Sequence, residues 1–355
     1  MAANTLFPTS VVGSLPRPDY VKDLINDAVP FPPEEYHRLM GLAIASAVAI
    51  QEAAGLDVIT DGEWWRKSYI GVIAELAHGF ELGRYPDGRP YTVVVARVAP
   101  KQPGFIAREV SFLKGITRKQ IKATLPSPAL LGERLWDAEK SAKAYPRRED
   151  FVRDCVPILR QELRLLVRES VSVAQIDDPH LCLFVDPDVR ARYDDPDRAA
   201  AFAVDMTNQV VEGIGGVKLA VHLCRRAGAR ARGEARFRGG YGPILPHLNR
   251  LKVHHLTMEF TAPEAGDMAV FRDLREDFEI GLGCVGTEPG RVNTVNEIVG
   301  RVEMALKHLA ADRITLNPDC GFAPGSAAVV STDEVYQKLK NEVAAAQRLR
   351  ERYRP

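Results

Sequence analysis

Short apolar runs alternate along this chain with longer stretches in which apolar residues return every three or four positions. Eight of the short runs read as strands: VVGS (11–14), LDVITDGE (56–63), IKATLPSP (121–128), VSVAQIDDP (171–179), VKLAVHLC (217–224), HHLTMEF (254–260), FEIGLGCV (278–285) and RITLNPDCG (313–321). They are β-branched and apolar without strict alternation, as parallel strands buried on both faces are. Between them, Pro33 to Gly55 places Met40, Leu42, Ile44, Val48 and Ile50 at helical spacing, and 151–171, 198–216, 292–309 and 332–353 read likewise. Alternating strands and helices predict a parallel sheet with crossover helices. Eight such units and no ninth predict an α/β fold, a closed (β/α)8 TIM barrel formed as a single domain by residues 1–355.

Two stretches depart from the alternation. Residues 78–118 hold a PDG turn, a VVVARV strand and FIAREVSFL, which predicts a hairpin-bearing insertion after the second strand, serving as a lid or a subunit contact. Residues 225–240, RRAGARARGEARFRGG, mix six arginines with glycine and alanine, which predicts a mobile loop between strands five and six.

Composition narrows the function. Hydrophobic residues make up 46%, enough for a large core, and 47 basic side chains balance 47 acidic ones. Nothing in that balance recruits nucleic acid or a membrane surface, so a small-molecule substrate is expected. The start MAANTLFPTS has no basic region followed by an apolar stretch, and no run is long enough to span a bilayer. Five widely spaced cysteines argue against a disulfide framework and for a reducing, cytoplasmic setting.

In barrels of this kind chemistry gathers at the C-terminal ends of the strands. Ser14, Asp61, Glu63, Ser127, Asp177, Asp178, His222, Cys224, Glu259, Glu288 and Cys320 all fall at or just past such ends. Any one polar residue there would only mark a strand end. Two cysteines and a histidine at three ends need another reason. His222 and Cys224 occupy alternate positions of one strand and so share a face. With Glu259 and Cys320 they form a set suited to Zn2+, which accepts sulfur, nitrogen and oxygen. Two thiolates and a carboxylate make the ion a poor activator of water. The same shell suits holding a substrate thiol as thiolate, the nucleophilic form.

The ordered motifs VVGS, DGE, QIDDP, HLC, MEF and LNPDCG, from Thr9 to Ala323, resemble the catalytic C-terminal barrel of cobalamin-independent methionine synthase. The resemblance implies a zinc ion held by His222, Cys224, Glu259 and Cys320. It implies that homocysteine is activated there to attack the methyl group of a methyl-folate, giving methionine. It also implies that Gly13 and Ser14 hold the amino-acid carboxylate while Glu63 and Asp177 hold the ammonium. Two features depart from the family. Its full-length members carry a second, N-terminal barrel, and this sequence shows one. After strand seven the family has an Asp and a His that help protonate the leaving folate, where this chain has Gly286 and Glu288. Glu288 is then the candidate general acid, given enough desolvation to raise its pKa. Asp178 is a further catalytic candidate, and Trp136 the candidate to stack on a flat donor.

The departures leave a methylated corrinoid open as donor beside methyl-folate. They also leave open alkyl transfer to another thiol such as coenzyme M, a zinc-free barrel lyase of the decarboxylase branch, and a structural zinc in a binding protein. A homodimer is equally open.

Overall fold

The computed structural model describes residues 5–26, 31–86, 90–231, 233–235, 237–323 and 330–354. Its strands are β1 (Val58–Ile59), β2 (Ala77–Arg84), β3 (Pro90–Pro100), β4 (Gln120–Pro126), β5 (Val173–Asp177), β6 (Lys218–Leu223), β7 (His255–Glu259), β8 (Glu279–Val285) and β9 (Ile314–Pro318). Seven form one curled sheet in the order β1-β4-β5-β6-β7-β8-β9, and β2 pairs with β3 in a separate ribbon. Every pairing within the large sheet is parallel. β5 and β7 are buried at every position, which explains why the strand runs lack alternation.

The crossovers are amphipathic helices. Arg148–Arg168 buries Phe151, Val152, Cys155, Leu159, Leu163 and Leu166 at spacings of three and four. Pro33–Ala54 buries Met40, Ile44, Ala47, Val48 and Gln51 and leaves Leu42 59% exposed. The buried stripe therefore runs through Gly41, Ala43, Ala47 and Ala54 as well as a glutamine, and Leu42 lies off it. Gln51 belongs inside because its amide bonds the Thr60 N–H and carbonyl, tying the helix to the end of β1.

The expected first strand, 11–14, is not a strand. Its place between β9 and β1 is taken by single parallel bridges, Thr9 to Leu316 and Ser10 to Val58. Past that point the carbonyls turn to side chains rising from the sheet interior. Lys122 Nζ donates to Val11 O at 2.7 Å, Gln175 Nε2 to Val12 O at 3.0 Å, and Thr60 Oγ1 to Gly13 O at 2.7 Å. With those acceptors engaged inward, no ladder forms.

The stretch expected as an insertion divides in two. β2 and β3 are the ribbon, while Phe105–Ile116 is a helix packed on β4 and on Arg148–Arg168, as the other crossovers pack. Asp87 and Gly88 of the expected PDG turn lie outside the described residues. The arginine-rich stretch is more ordered than its composition predicts. It contains a short helix, Ala227–Ala231, and Arg225 is fully buried, its guanidinium donating to the Gly239 carbonyl at 2.6 Å and lying over the Tyr241 ring. Arg232 and Arg236 lie outside the described residues.

Candidate metal centre

Three of the four expected ligands meet. His222 and Cys224, from the end of β6, and Cys320, just past β9, bring their ligand atoms within 4.8 Å of one another, all buried. The two sulfurs are 3.4 Å apart and unbonded, so both thiols are free. Strand alternation turns His222 and Cys224 to one side, and the bulged pairing of β8 with β9 carries Cys320 over the same strand ends.

The histidine is oriented as a ligand would be. Its Nδ1 lies 3.1 Å from Asp177 Oδ1, and its Nε2 is buried with no hydrogen-bond partner. Asp177 is itself fixed by Gln175 Nε2 at 2.8 Å. A carboxylate on one imidazole nitrogen leaves the other as a lone pair for a metal. An orphaned buried nitrogen beside two thiols is unfavourable alone, and a thiophilic divalent cation satisfies all three.

Electrostatics separate the two thiols. Cys224 is held far below the ordinary thiol range, first by the S–H of Cys320 and then, against burial, by His222. Cys320 is pushed up by the same contact and by burial. Burial opposes a charged His222, but Cys224 and Asp177 together outweigh it and raise the ring to about 10.

Glu259 stands apart. It is fully buried, with Oε2 accepting from the Arg225 N–H and Oε1 from Arg230 Nη1, each at 2.6 Å. Glu288, the candidate acid, is half-exposed and bound to Arg230 Nε at 3.1 Å. Asp178 caps the short helix Pro179–Leu183 by accepting from Leu181 N–H at 2.9 Å, and burial raises it to about 6. Trp136 closes the helix Pro128–Leu135 and spends its indole N–H on the Tyr145 carbonyl at 2.9 Å. Neither Glu288, Asp178 nor Trp136 lines the cavity above the thiols.

That cavity, about 140 Å3, is lined by Gly13, Ser14, Glu63 and Asp177 together with the three clustered ligands. Gly13 has a steric reason to be glycine, since a Cβ there would sit 2.5 Å from Glu63 Oε1. Ser14 is stapled to the loop after Cys320, its Oγ accepting from Ala323 N–H at 3.2 Å and its carbonyl from Phe322 N–H at 2.9 Å. Glu63 adopts a left-handed backbone, φ 58°, with its N–H bonded to Asp61 at 2.9 Å. Glu109 pairs with Arg66 at 2.6 Å, Arg66 donates to Thr124 at 2.9 Å, and Thr124 donates to Glu63 at 2.8 Å, so one chain of bonds aims that carboxylate. Burial and the facing Asp177 raise its pKa, while Arg66 opposes them. Two carboxylates facing one cavity suit a cationic guest.

Sequence reasoning did not find Tyr69 and Arg134, which also line the cavity, and reached Arg226 only as one arginine of the 225–240 stretch. Arg226 could have been flagged by adjacency to the HLC motif. Tyr69 and Arg134 sit in segments with no motif around them. The ribbon contributes Tyr85 and Pro90 to the same wall.

The family model described as cobalamin-independent synthase, catalytic domain, matches residues 7–348. A methionine synthase of Saccharolobus islandicus (strain L.S.2.15 / Lassen #1) is 26% identical over 99% of this chain and 97% of its own length. One from Sulfolobus acidocaldarius is 26% identical over 90% of this chain and 86% of its own. The solved B12-independent methionine synthase from Shewanella sp. W3-18-1, in complex with selenomethionine, shares the fold with TM-score 0.77 at 22% identity, covering 98% of each chain.

Proposed function

The chain belongs to the family of cobalamin-independent synthase catalytic domains, and from that premise we propose that it transfers a methyl group to the sulfur of homocysteine, giving methionine, at a zinc centre. The observation that carries this reading is the His222–Cys224–Cys320 cluster, with its unpartnered imidazole nitrogen, at the floor of a cavity walled by two carboxylates. The segment at Thr9–Ser10 reads as the eighth stave of a (β/α)8 barrel, and the chain as one catalytic domain.

A zinc ion held by the cluster supplies the positive charge that keeps a substrate thiol ionised near neutral pH. The protein's own residues do the rest. Glu63 and Asp177 take the ammonium of the amino acid, and the backbone and hydroxyl at Gly13–Ser14 take its carboxylate. Asp177 has a second task, holding His222 with its Nε2 toward the sulfurs. The wall from Tyr69 to Tyr85 narrows the approach of the donor, so that sulfur and methyl carbon meet in line. Positioning of that kind supplies much of the rate of a displacement. Were Glu259 to join His222, Cys224 and Cys320 in holding the ion, the oxygen it offered would be one that now accepts from Arg230 Nη1 or from the Arg225 N–H.

Zinc K-edge absorption on the purified protein, with and without L-homocysteine, tests the reading. One zinc per chain that gains a sulfur ligand on adding homocysteine is the expected result. A zinc shell indifferent to homocysteine sinks it.

A further inference from the structure

We propose that Arg134, Arg226 and the Tyr69 hydroxyl form an oxyanion clamp that takes a carboxylate or phosphodiester carried by the methyl donor, an inference that rests on the methyl-transfer reading above. All three side chains line the cavity that holds the thiols. Arg134 comes from the last turn of the helix Pro128–Leu135, Arg226 from the residue pair following Cys224, and Tyr69 from the segment leading into the ribbon.

The arginines around them are spent. Arg230 pairs with Glu259 and Glu288, Arg225 bonds the Gly239 carbonyl, and Arg148 takes Glu133, the carboxylate next to Arg134 in sequence. Arg134 and Arg226 make no ion pair with any described carboxylate, and the Tyr69 hydroxyl makes no hydrogen bond among the described residues. Two guanidiniums and a phenol hydroxyl lining one cavity offer it hydrogen-bond donors that no described carboxylate takes up as an ion pair. An oxyanion accepting from guanidinium and hydroxyl donors is the guest that fits.

The backbone points the same way. Arg226 is one of few non-glycine residues in the left-handed region, φ 54°. Its N–H serves the Cys224 sulfur while its side chain reaches the cavity. Strain of this type persists where the surroundings fix it, and it gathers at ligand clamps. Glu63 and Asp177 already provide for the ammonium of the thiol substrate, so the paired cations are left for the second substrate.

Titration calorimetry on the zinc-loaded protein tests the clamp with four probes. These are 5-methyltetrahydrofolate as triglutamate and as monoglutamate, methylcobalamin, and methylcobinamide, which lacks the phosphodiester. Wild type is expected to bind the more anionic member of one pair more tightly. Arg134→Gln with Arg226→Gln should weaken that member roughly 10-fold or more and erase the preference. The pair affected tells carboxylate from phosphodiester. A double variant that keeps wild-type affinity and preference, or a wild type that binds none of the four, overturns the clamp. The methyl-transfer reading is judged separately. If homocysteine still adds a sulfur to the zinc of the double variant, that reading survives the loss of the clamp, and if it fails to do so in wild type, the reading falls first.

Discussion

Arg230 Nη1 lies 2.6 Å from Glu259 Oε1, and both side chains are buried. A cation from the arginine-rich stretch therefore holds the one expected ligand that does not join the metal cluster. A buried carboxylate needs a partner, and here a guanidinium stands where the resemblance implies a metal ion.

That competition gives the first prediction. In zinc-free protein, Arg230→Gln leaves Glu259 buried without its ion-pair partner, held by the Arg225 N–H, and stability falls by about 3 kcal/mol. Zinc then takes over the carboxylate, so adding it stabilises the variant more than the wild type. Urea unfolding of both proteins, with and without zinc, measures this. Equal stabilisation by zinc would show that Glu259 never enters the shell.

Removing a sulfur gives the second. Cys320→Ser leaves two of the three clustered ligands, and the protein should emerge from dialysis against a weak chelator without stoichiometric zinc and without methyl transfer to homocysteine. Full zinc content together with full activity in this variant rules out the cluster as the catalytic centre.

Asp177 holds His222 Nδ1 at 3.1 Å, and Asp177→Asn tests that orienting contact. Zinc affinity, read by competition with a chromophoric chelator, is expected to fall about 10- to 100-fold. The Michaelis constant for homocysteine should rise as well, since the same carboxylate faces the cavity. An unchanged zinc affinity would assign Asp177 to the substrate alone.

Lys122 links pH to stability. Burial, only partly offset by Asp177 and Glu342, lowers it from 10.5 to about 7 in the fold. Between those values the unfolded chain keeps the proton and the native protein releases it, so stability rises with pH across that window. Below about pH 7 both states are protonated and the term is flat. The slope from this one group approaches about 1.4 kcal/mol per pH unit at most. Lys122→Met should remove it, at the cost of a donor to Val11 O. Urea midpoints from pH 7 to 10 with parallel slopes for the two proteins would refute the assignment.

The parallel strands were legible because burial on both faces leaves continuous apolar runs, and His222, Cys224 and Cys320 because rim thiols have no packing role. The first strand misled for a physical reason. Val11 and Val12 are as buried as any strand residue, but the carbonyls of 11–13 are claimed by Lys122, Gln175 and Thr60, which lie far away in sequence. Asp178 read as chemistry and serves as a helix cap, since an Asp before Pro fits both. Glu259 does close a strand, but its partner Arg230 comes from a stretch whose composition suggested a mobile loop. Tyr69 and Arg134 become visible only when the fold closes the cavity around them.

The chain's two ends meet at the same place, where Ser10 N–H donates to Glu342 Oε1 across 332 positions and Leu316 N–H to the Pro8 carbonyl. The loop that carries Gly13 and Ser14 is anchored through those bonds. During synthesis residues 8–10 must therefore wait for Leu316 and Glu342, and the growing chain carries Cys224 and Cys320 in separate pieces before they can converge. The Gly13–Ser14 loop and the clustered thiols settle together, as one late event of folding.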